Sequence, residues 1–295
     1  MNNDQLLRFA TREEWLANRK NSIGSSDAGA ILGHGYATQS RYTLWLDKTG
    51  QSEVEFDDQT QERFAKGHAA EKYIADLARI SHGWEVQFDP DHSMRVSSDM
   101  PYVTASLDMF AIVDGKPCVL EAKNLSSWVA KKEWDEAAGK APLKFSLQVQ
   151  HQLLVTGWDQ GYLVGLNGMD LLTIPVPRHE QIISQMSVAY RKFWHSVENR
   201  IEPELDGSNA TYSALCENNR PVERQVKHVE DTESELVESY FFAEEMLCEA
   251  EKTRNKRRNE VLGLFGDNES LVMPDGSWVS VKNGRGKTRR IKKGR

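Results

Sequence analysis

Three ionisable side chains interrupt an otherwise apolar stretch of this 295-residue chain: Asp108, Glu121 and Lys123, within TASLDMFAIVDGKPCVLEAKN (Thr104–Asn124). Val103–Val113 is rich in β-branched and apolar residues, Asp114-Gly115 is a hairpin signal, and Pro117–Ala122 resumes the apolar run. Two strands joined by a tight turn are therefore predicted. On the two-residue period of a strand, Glu121 and Lys123 share one face, while Leu120 and Ala122 share the other. Pairing of the strands brings Asp108 to the same end. Two carboxylates and an ammonium projecting from buried strands are costly unless they bind something.

Carboxylates from adjacent strands are hard oxygen ligands, with no imidazole or thiolate among them, which suits Mg2+ or Mn2+ rather than zinc. In this D…ExK arrangement Asp108 and Glu121 hold the ion, joined by the backbone carbonyl of Ala122. Lys123 lies near enough to orient or help deprotonate an attacking water. Metal and lysine together stabilise the negative charge that develops as a phosphodiester is hydrolysed. The plainer reading is a partly buried salt bridge between Lys123 and either acid. What favours the reactive site is its company: an aspartate across a hairpin, a helical Glu71 before it and Gln148 on the helix after it.

The elements that must position these residues follow from capping, periodicity and turn signals. Thr11–Lys20 is predicted as a short helix with Thr11 and Glu14 as a capping box. A polar turn, Arg19 to Asp27, then feeds a small-residue helix start at Ala28–Leu32. Ser25, Ser26 and Asp27 beside free N–H groups, with Arg19 near in sequence, suit either a helix cap or a phosphate. Helices are expected at Arg41–Lys48 and Gln59–Ile80, the second from its 3.6-residue apolar spacing. In it Glu71 follows Gly67 by one turn, and either faces solvent beside a lysine or joins Asp108 and Glu121 as a third carboxylate. Trp84–Phe88 and Met94–Ser97 are strand candidates, and Ser127–Ala138 reads as a helix. Leu143–Thr156 reads as a helix closed by Gly157, with Gln148 and Gln152 four apart. Gln160–Leu166 and Leu171–Val176 alternate as strands around Asn167-Gly168, and Arg178–Asn199 is helical. Together these give an α/β fold with a mixed central sheet flanked by helices.

From about Ile201 the composition shifts. Residues to Arg224 read as a linker or irregular arm, and Glu230–Gly263 as a charged helix, acidic first and basic later. Leu271–Val281 has hairpin character around Asp275-Gly276. The chain ends with eight basic residues and no acid between Lys282 and Arg295, which suits a solvated face or contact with a phosphate backbone. The division expected is a core at 1–206 and a mainly helical appendage with a basic tail at 207–295. The net charge of −7 argues mildly against bulk nucleic-acid binding, though a sum can hide a local basic surface. Three cysteines without CxxC spacing suit a reducing cytoplasm, and no run reaches the length of a membrane helix.

The chain resembles the YqaJ-type viral recombinase family, relatives of phage lambda exonuclease in the PD-(D/E)xK nuclease superfamily. The resemblance spans roughly Glu14 to Trp194. It is carried, in the family's order, by NRKNSIGSSDAGAILG (Asn18–Gly33), KGHAAEKY (Lys66–Tyr73), SLDMF (Ser106–Phe110), LEAKN (Leu120–Asn124) and SLQVQHQLLVTG (Ser146–Gly157). It implies a restriction-endonuclease-like core. Glu71 would join Asp108 and Glu121 on Mg2+, with Mn2+ able to substitute. Lys123 would act on the water, Gln148 would support the site, and Arg19 and Ser26 would hold a terminal 5′-phosphate. Ser106-Leu107 stands where a proline often precedes the motif aspartate, a difference that touches backbone shape rather than chemistry.

The implied activity is 5′→3′ exonucleolysis of linear double-stranded DNA, giving 3′ single-stranded tails for recombination. A ring-shaped homo-oligomer such as a trimer, a single-strand annealing partner and a phage or prophage gene expressed in bacterial cytoplasm are implied with it. The alternatives are an endonuclease of the same superfamily and a non-catalytic DNA-binding recombination factor.

Overall fold

The computed structural model describes residues 4–52, 57–219, 223–283 and 289–293. The chain divides into two compact units, 1–220 and 221–295. The first begins with β1 (Asp4–Arg8), absent from the sequence reading, and α1 (Arg12–Lys20). Thr11 caps α1 by accepting from the Glu14 N–H, and Glu14 accepts in turn from the Ala10 N–H. A 3-10 turn (Ser25–Asp27), α2 (Ala28–Ile31), α3 (Arg41–Lys48) and α4 (Asp58–His82) follow. Asp57 caps α4, and Gly83 ends it in the left-handed region at φ 67°.

The strands β2 (Glu85–Gln87), β3 (Ser93–Ser97), β4 (Thr104–Ala105), β5 (Met109–Val113) and β6 (Lys116–Asn124) come next. The single strand expected over Val103–Val113 is thus two. β4 pairs with β3 in a small antiparallel sheet of order β1-β3-β4, whereas β5 belongs to the main sheet. Between them the Ser106 hydroxyl donates to the Ser93 carbonyl, and Asp108 turns its side chain onto β6.

α5 (Ser127–Glu133) is shorter than expected. Trp134 leaves the helix in an extended conformation and buries its ring in the core, and Asp135 and Lys140 exchange two backbone hydrogen bonds of 2.8 Å. The remaining elements of this unit are α6 (Leu143–Thr156), β7 (Gln160–Asn167), β8 (Asp170–Pro177), α7 (Glu180–Glu198) and α8 (Asn209–Asn218). α8 falls in a stretch read as irregular. It packs on α3, where Thr211 donates to the Ser40 hydroxyl at 2.8 Å, so residues 209–218 lie in the first unit.

The main sheet has five strands in the order β2-β5-β6-β7-β8, with β6 and β7 parallel and the other pairs antiparallel. The β6–β7 crossover carries α5 and α6, as a parallel pair requires. One face is covered by α4, whose Ile74, Ala75 and Ala78 pack on Met109, Ala111, Leu120 and Val164. The other face belongs to a larger core around Val119, Val149, Leu153, Leu163, Met186 and Tyr190. A Cβ on Gly161 would collide with the Val149 side chain, so glycine there lets α6 lie directly on β7.

Within that core His151 is fully buried, with Nε2 at 2.8 Å from the Thr104 carbonyl and Nδ1 at 2.8 Å from the Tyr190 hydroxyl. The carbonyl can only accept, so Nε2 carries the proton and the phenol donates to Nδ1. Burial lowers the His151 pKa to about 4.

The second unit contains α9 (Asp231–Phe265) and the strands β9 (Ser270–Val272), β10 (Trp278–Asn283) and β11 (Arg289–Lys293), antiparallel in the order β11-β10-β9. Part of the stretch read as a basic tail is therefore strand. Residues 284–288 and 294–295 of it lie outside the described residues.

Candidate active site

β5 begins its ladder with β6 at Met109↔Leu120, one residue after Asp108. Past that register β6 has no antiparallel neighbour, and the Ala122 N–H is taken by Asp108 Oδ2 at 2.9 Å. On its other edge β6 continues beside β7 as far as Asn124↔Leu166. The strand is paired on one side and open on the other, which leaves its last residues accessible to side chains from elsewhere.

Alternation along β6 turns Val119 and Glu121 toward α6, and Leu120 and Ala122 toward α4. Glu121 is 1% exposed, and both its oxygens are occupied. Lys123 Nζ donates to Oε1, and Gln152 Nε2 donates to Oε2 at 2.5 Å. Lys123 also donates to Gln148 Oε1 at 3.2 Å, and its ammonium lies 4.9 Å from the centre of the Phe145 ring. Gln148 and Gln152 stand one turn apart on α6, so a single helix face delivers both amides. Glu71, on α4, is half-buried, with Oε2 at 3.1 Å from His68 Nδ1.

The electrostatics tie these groups into one cluster. Burial pushes the Asp108 carboxyl well above the usual carboxylate range, and the charges of Glu121 and Glu71 push the same way, against Lys123 and the Ala122 N–H. Burial also raises Glu71, opposed by His68 and reinforced by Glu121. For Lys123 burial favours the neutral amine, but Glu121 and Asp108 outweigh it and its pKa is raised. The Tyr36 phenol, raised by burial, also feels Lys123, Glu121 and Asp108.

The cluster therefore holds more negative than positive charge, all on oxygen, which is the donor chemistry of a hard divalent cation. In kind, the residues fit Mg2+. Among the described residues no three His, Cys, Asp or Glu side chains stand in metal-ligating geometry.

Of the residues singled out in the sequence, Asp108, Glu121, Lys123 and Gln148 come together through hydrogen bonds, Ala122 through its N–H, and Glu71 through charge. Arg19 and Ser26 sit apart from that bonded group. The Arg19 guanidinium lies 4.7 Å over the Trp15 ring, and its carbonyl accepts from Lys48 Nζ at 2.8 Å. Ser26 is half-buried in the 3-10 turn, which packs against α6. Asp27 closes that turn by accepting from the Gly24 N–H at 3.0 Å and pairing with Lys48 at 3.2 Å.

The sequence reading gave no role to Gln152, Phe145 or Tyr36. Gln152 had a signal in its spacing from Gln148. Phe145 reads as an apolar core residue and Tyr36 lies in a loop, so neither carries a mark of its proximity to Lys123.

Comparison with known proteins places this geometry. A model of the YqaJ-like viral recombinase domain matches residues 14–159, a span that contains all eight positions named above as site candidates. The "Uncharacterized protein YqaJ" of Bacillus subtilis (strain 168) is 26% identical over 294 residues, covering 96% of this chain and 88% of that protein. Among solved structures, the alkaline exonuclease LHK-Exo from Laribacter hongkongensis superposes with a TM-score of 0.53 at 19% identity, over 64% of this chain and 94% of that one. The same enzyme in complex with dAMP gives 0.52 at 18% identity, over the same shares. The fold shared with that enzyme is the mixed central β-sheet flanked by α-helices, to which this chain adds a C-terminal extension. Residues 14–159 thus carry the match of this chain to the YqaJ-like viral recombinase domain family.

Proposed function

We propose that the protein is a metal-dependent deoxyribonuclease that degrades one strand of linear double-stranded DNA from its 5′ ends, leaving 3′ single-stranded tails for recombination. The observation that carries this reading is the arrangement on β6. There an acid and a lysine two residues apart share one face, bridged to each other and to two glutamines of α6, with Asp108 on the intervening N–H. A salt bridge built only for stability has no use for further carboxylates whose charge it leaves unbalanced.

Asp108 and Glu121, with Glu71 beside them and the Ala122 carbonyl, would hold Mg2+, and Mn2+ would substitute. Bound there, the ion would supply Lewis-acid charge at the phosphoryl oxygens and a more acidic water. Lys123 is held as an ammonium between Glu121 and Gln148. It offers a positioned donor to the attacking water and a positive charge where negative charge develops. Gln152 fixes Glu121, and Gln148 fixes Lys123. Arg19 and Ser26 would take the terminal 5′-phosphate, which selects ends over internal bonds. A ring-shaped homo-oligomer such as a trimer around duplex DNA, and a single-strand annealing protein as successor in the reaction, complete the reading. The working division would be a nuclease core at 1–206 and an appendage beyond it, in the cytoplasm of a bacterial host.

The experiment is cleavage of linear duplex DNA labelled at the 5′ or the 3′ end, beside a covalently closed circle. Early release of the 5′ label with an intact circle is expected. Cutting of the circle would make the enzyme an endonuclease of the same superfamily. A folded protein that binds every substrate and cleaves none would overturn the enzymatic reading.

A further inference from the structure

We propose that one face of the three-stranded sheet in the second unit is a binding site for single-stranded DNA, separate from the carboxylate cluster. Its register fixes which residues share that face. On β10, Trp278, Ser280 and Lys282 alternate with Val279 and Val281. Val272 stands opposite Trp278, Ser270 and Lys292 flank Ser280, and Arg290 stands opposite Lys282. Trp278, Val272, Lys282 and Lys292 are all exposed, Trp278 by 42%, whereas Leu271, Val279, Val281 and Ile291 of the other face are half-buried.

Like charges directly opposite on neighbouring strands destabilise a sheet. Lys282 and Lys292, both exposed, share this face as diagonal neighbours across the β10–β11 pair, within reach of one another's charge. The third strand contributes Ser270, Leu271 and Val272 to the pairing, and so brings no acid to it. The chain from Lys282 to Arg295 contains none either. Exposed positive charges gathered on one face suit a polyanion, which meets them at several points at once.

The aromatic residue sets the class of polyanion. Trp278 is exposed in line with Lys282, four residues away on the same face of one strand. A base can stack on the ring while its phosphates meet the lysines, the pattern used to hold unpaired strands without regard to sequence. A paired duplex hides the faces of its bases and would leave the indole without a partner. Lys282 and Lys292 lie about 7 Å apart as diagonal neighbours, and so can meet phosphates along an extended backbone. None of this requires the carboxylate cluster to be catalytic.

The test uses the full chain in EDTA, so that no substrate is cut. Binding of a fluorescent oligothymidylate is followed by anisotropy across a salt series, for wild type, Lys282→Glu/Lys292→Glu, Trp278→Ala and Trp278→Phe. The double variant should weaken binding at least tenfold. It should also lower the slope of log affinity against log salt by about 1.4, from two lost phosphate contacts at about 0.7 each on a single strand. Trp278→Ala should weaken binding at least fivefold at unchanged slope, and Trp278→Phe should restore most of it. Three results would overturn the proposal. One is oligothymidylate binding unchanged in the double variant. Another is loss of duplex binding with single-strand binding intact. The last is an effect confined to vesicles of anionic lipid.

Discussion

At the open end of the five-stranded sheet Glu121 is 1% exposed, with Lys123 on one oxygen and Gln152 on the other. On the three-stranded sheet Lys282 and Lys292 stand in solvent, one opposite Arg290 and the other opposite Ser280. The difference follows from solvation. A charge taken out of water must be met within the fold or it unfolds the protein, whereas a charge left in water can wait for a partner. Changes in the first region should therefore register in stability as well as function, and changes in the second in binding and its salt dependence.

The largest expected effect is on rate. Lys123→Met removes the donor and the charge, and hydrolysis of linear duplex should fall about 10³-fold, in the range seen when one transition-state donor is lost. Single-turnover cleavage measures it, and a loss below tenfold would reduce Lys123 to a structural role. The same substitution leaves Glu121 buried without its cation, which should cost about 3 kcal/mol in urea unfolding.

Asp108→Asn should do the reverse to stability. It removes an acid whose ionised form is disfavoured by burial and by the charges of Glu121 and Glu71, while the amide oxygen still accepts from the Ala122 N–H, so in EDTA the thermal midpoint should stay level or rise. A midpoint several degrees lower would mark Asp108 as a structural acid, and the contrast between the two regions would have to be redrawn.

His151 gives a pH-dependent effect of intermediate size. Its pKa is lowered to about 4 in the fold from an ordinary value of 6.5. The unfolded chain therefore takes up a proton in a window where the folded one does not. Stability from this group is complete above about pH 6.5 and declines as the pH falls toward 4, by about 2 kcal/mol between pH 7.5 and 5. Urea unfolding of wild type and His151→Gln at both pH values isolates it, and an equal decline in both would remove His151 from the account. The smallest effect belongs to the second region: Lys282→Ala and Lys292→Ala should each change unfolding by less than about 0.5 kcal/mol, as exposed positions do.

The main sheet was readable from the sequence because its signals are local. Asp114-Gly115 and Asn167-Gly168 announced their hairpins, and the two-residue period set Glu121 and Lys123 on one face before any neighbour was known. What local signals do not encode is pairing at a distance. β1 is a strand because it lies beside β3, and Val103–Val113 breaks because Asp108 has an N–H to reach on β6. The partnership of Glu121 with Gln152 depends on how α6 crosses the sheet, and that is set by Gly161 beneath Val149. The basic terminus was visible as composition, but the placing of Lys282 opposite Arg290 exists only once β10 and β11 are paired.

Hydrolysis of DNA by the cluster on β6, with the help of a divalent ion, is the proposal on which the rest depends. The most direct test is cleavage of linear duplex by wild type and Asp108→Asn, each with Mg2+ and with EDTA, on samples whose melting curves are recorded alongside. Cleavage is expected only from wild type with Mg2+, together with a variant at least as stable as wild type in EDTA. Cleavage by Asp108→Asn at the wild-type rate, or by wild type in EDTA, would contradict it.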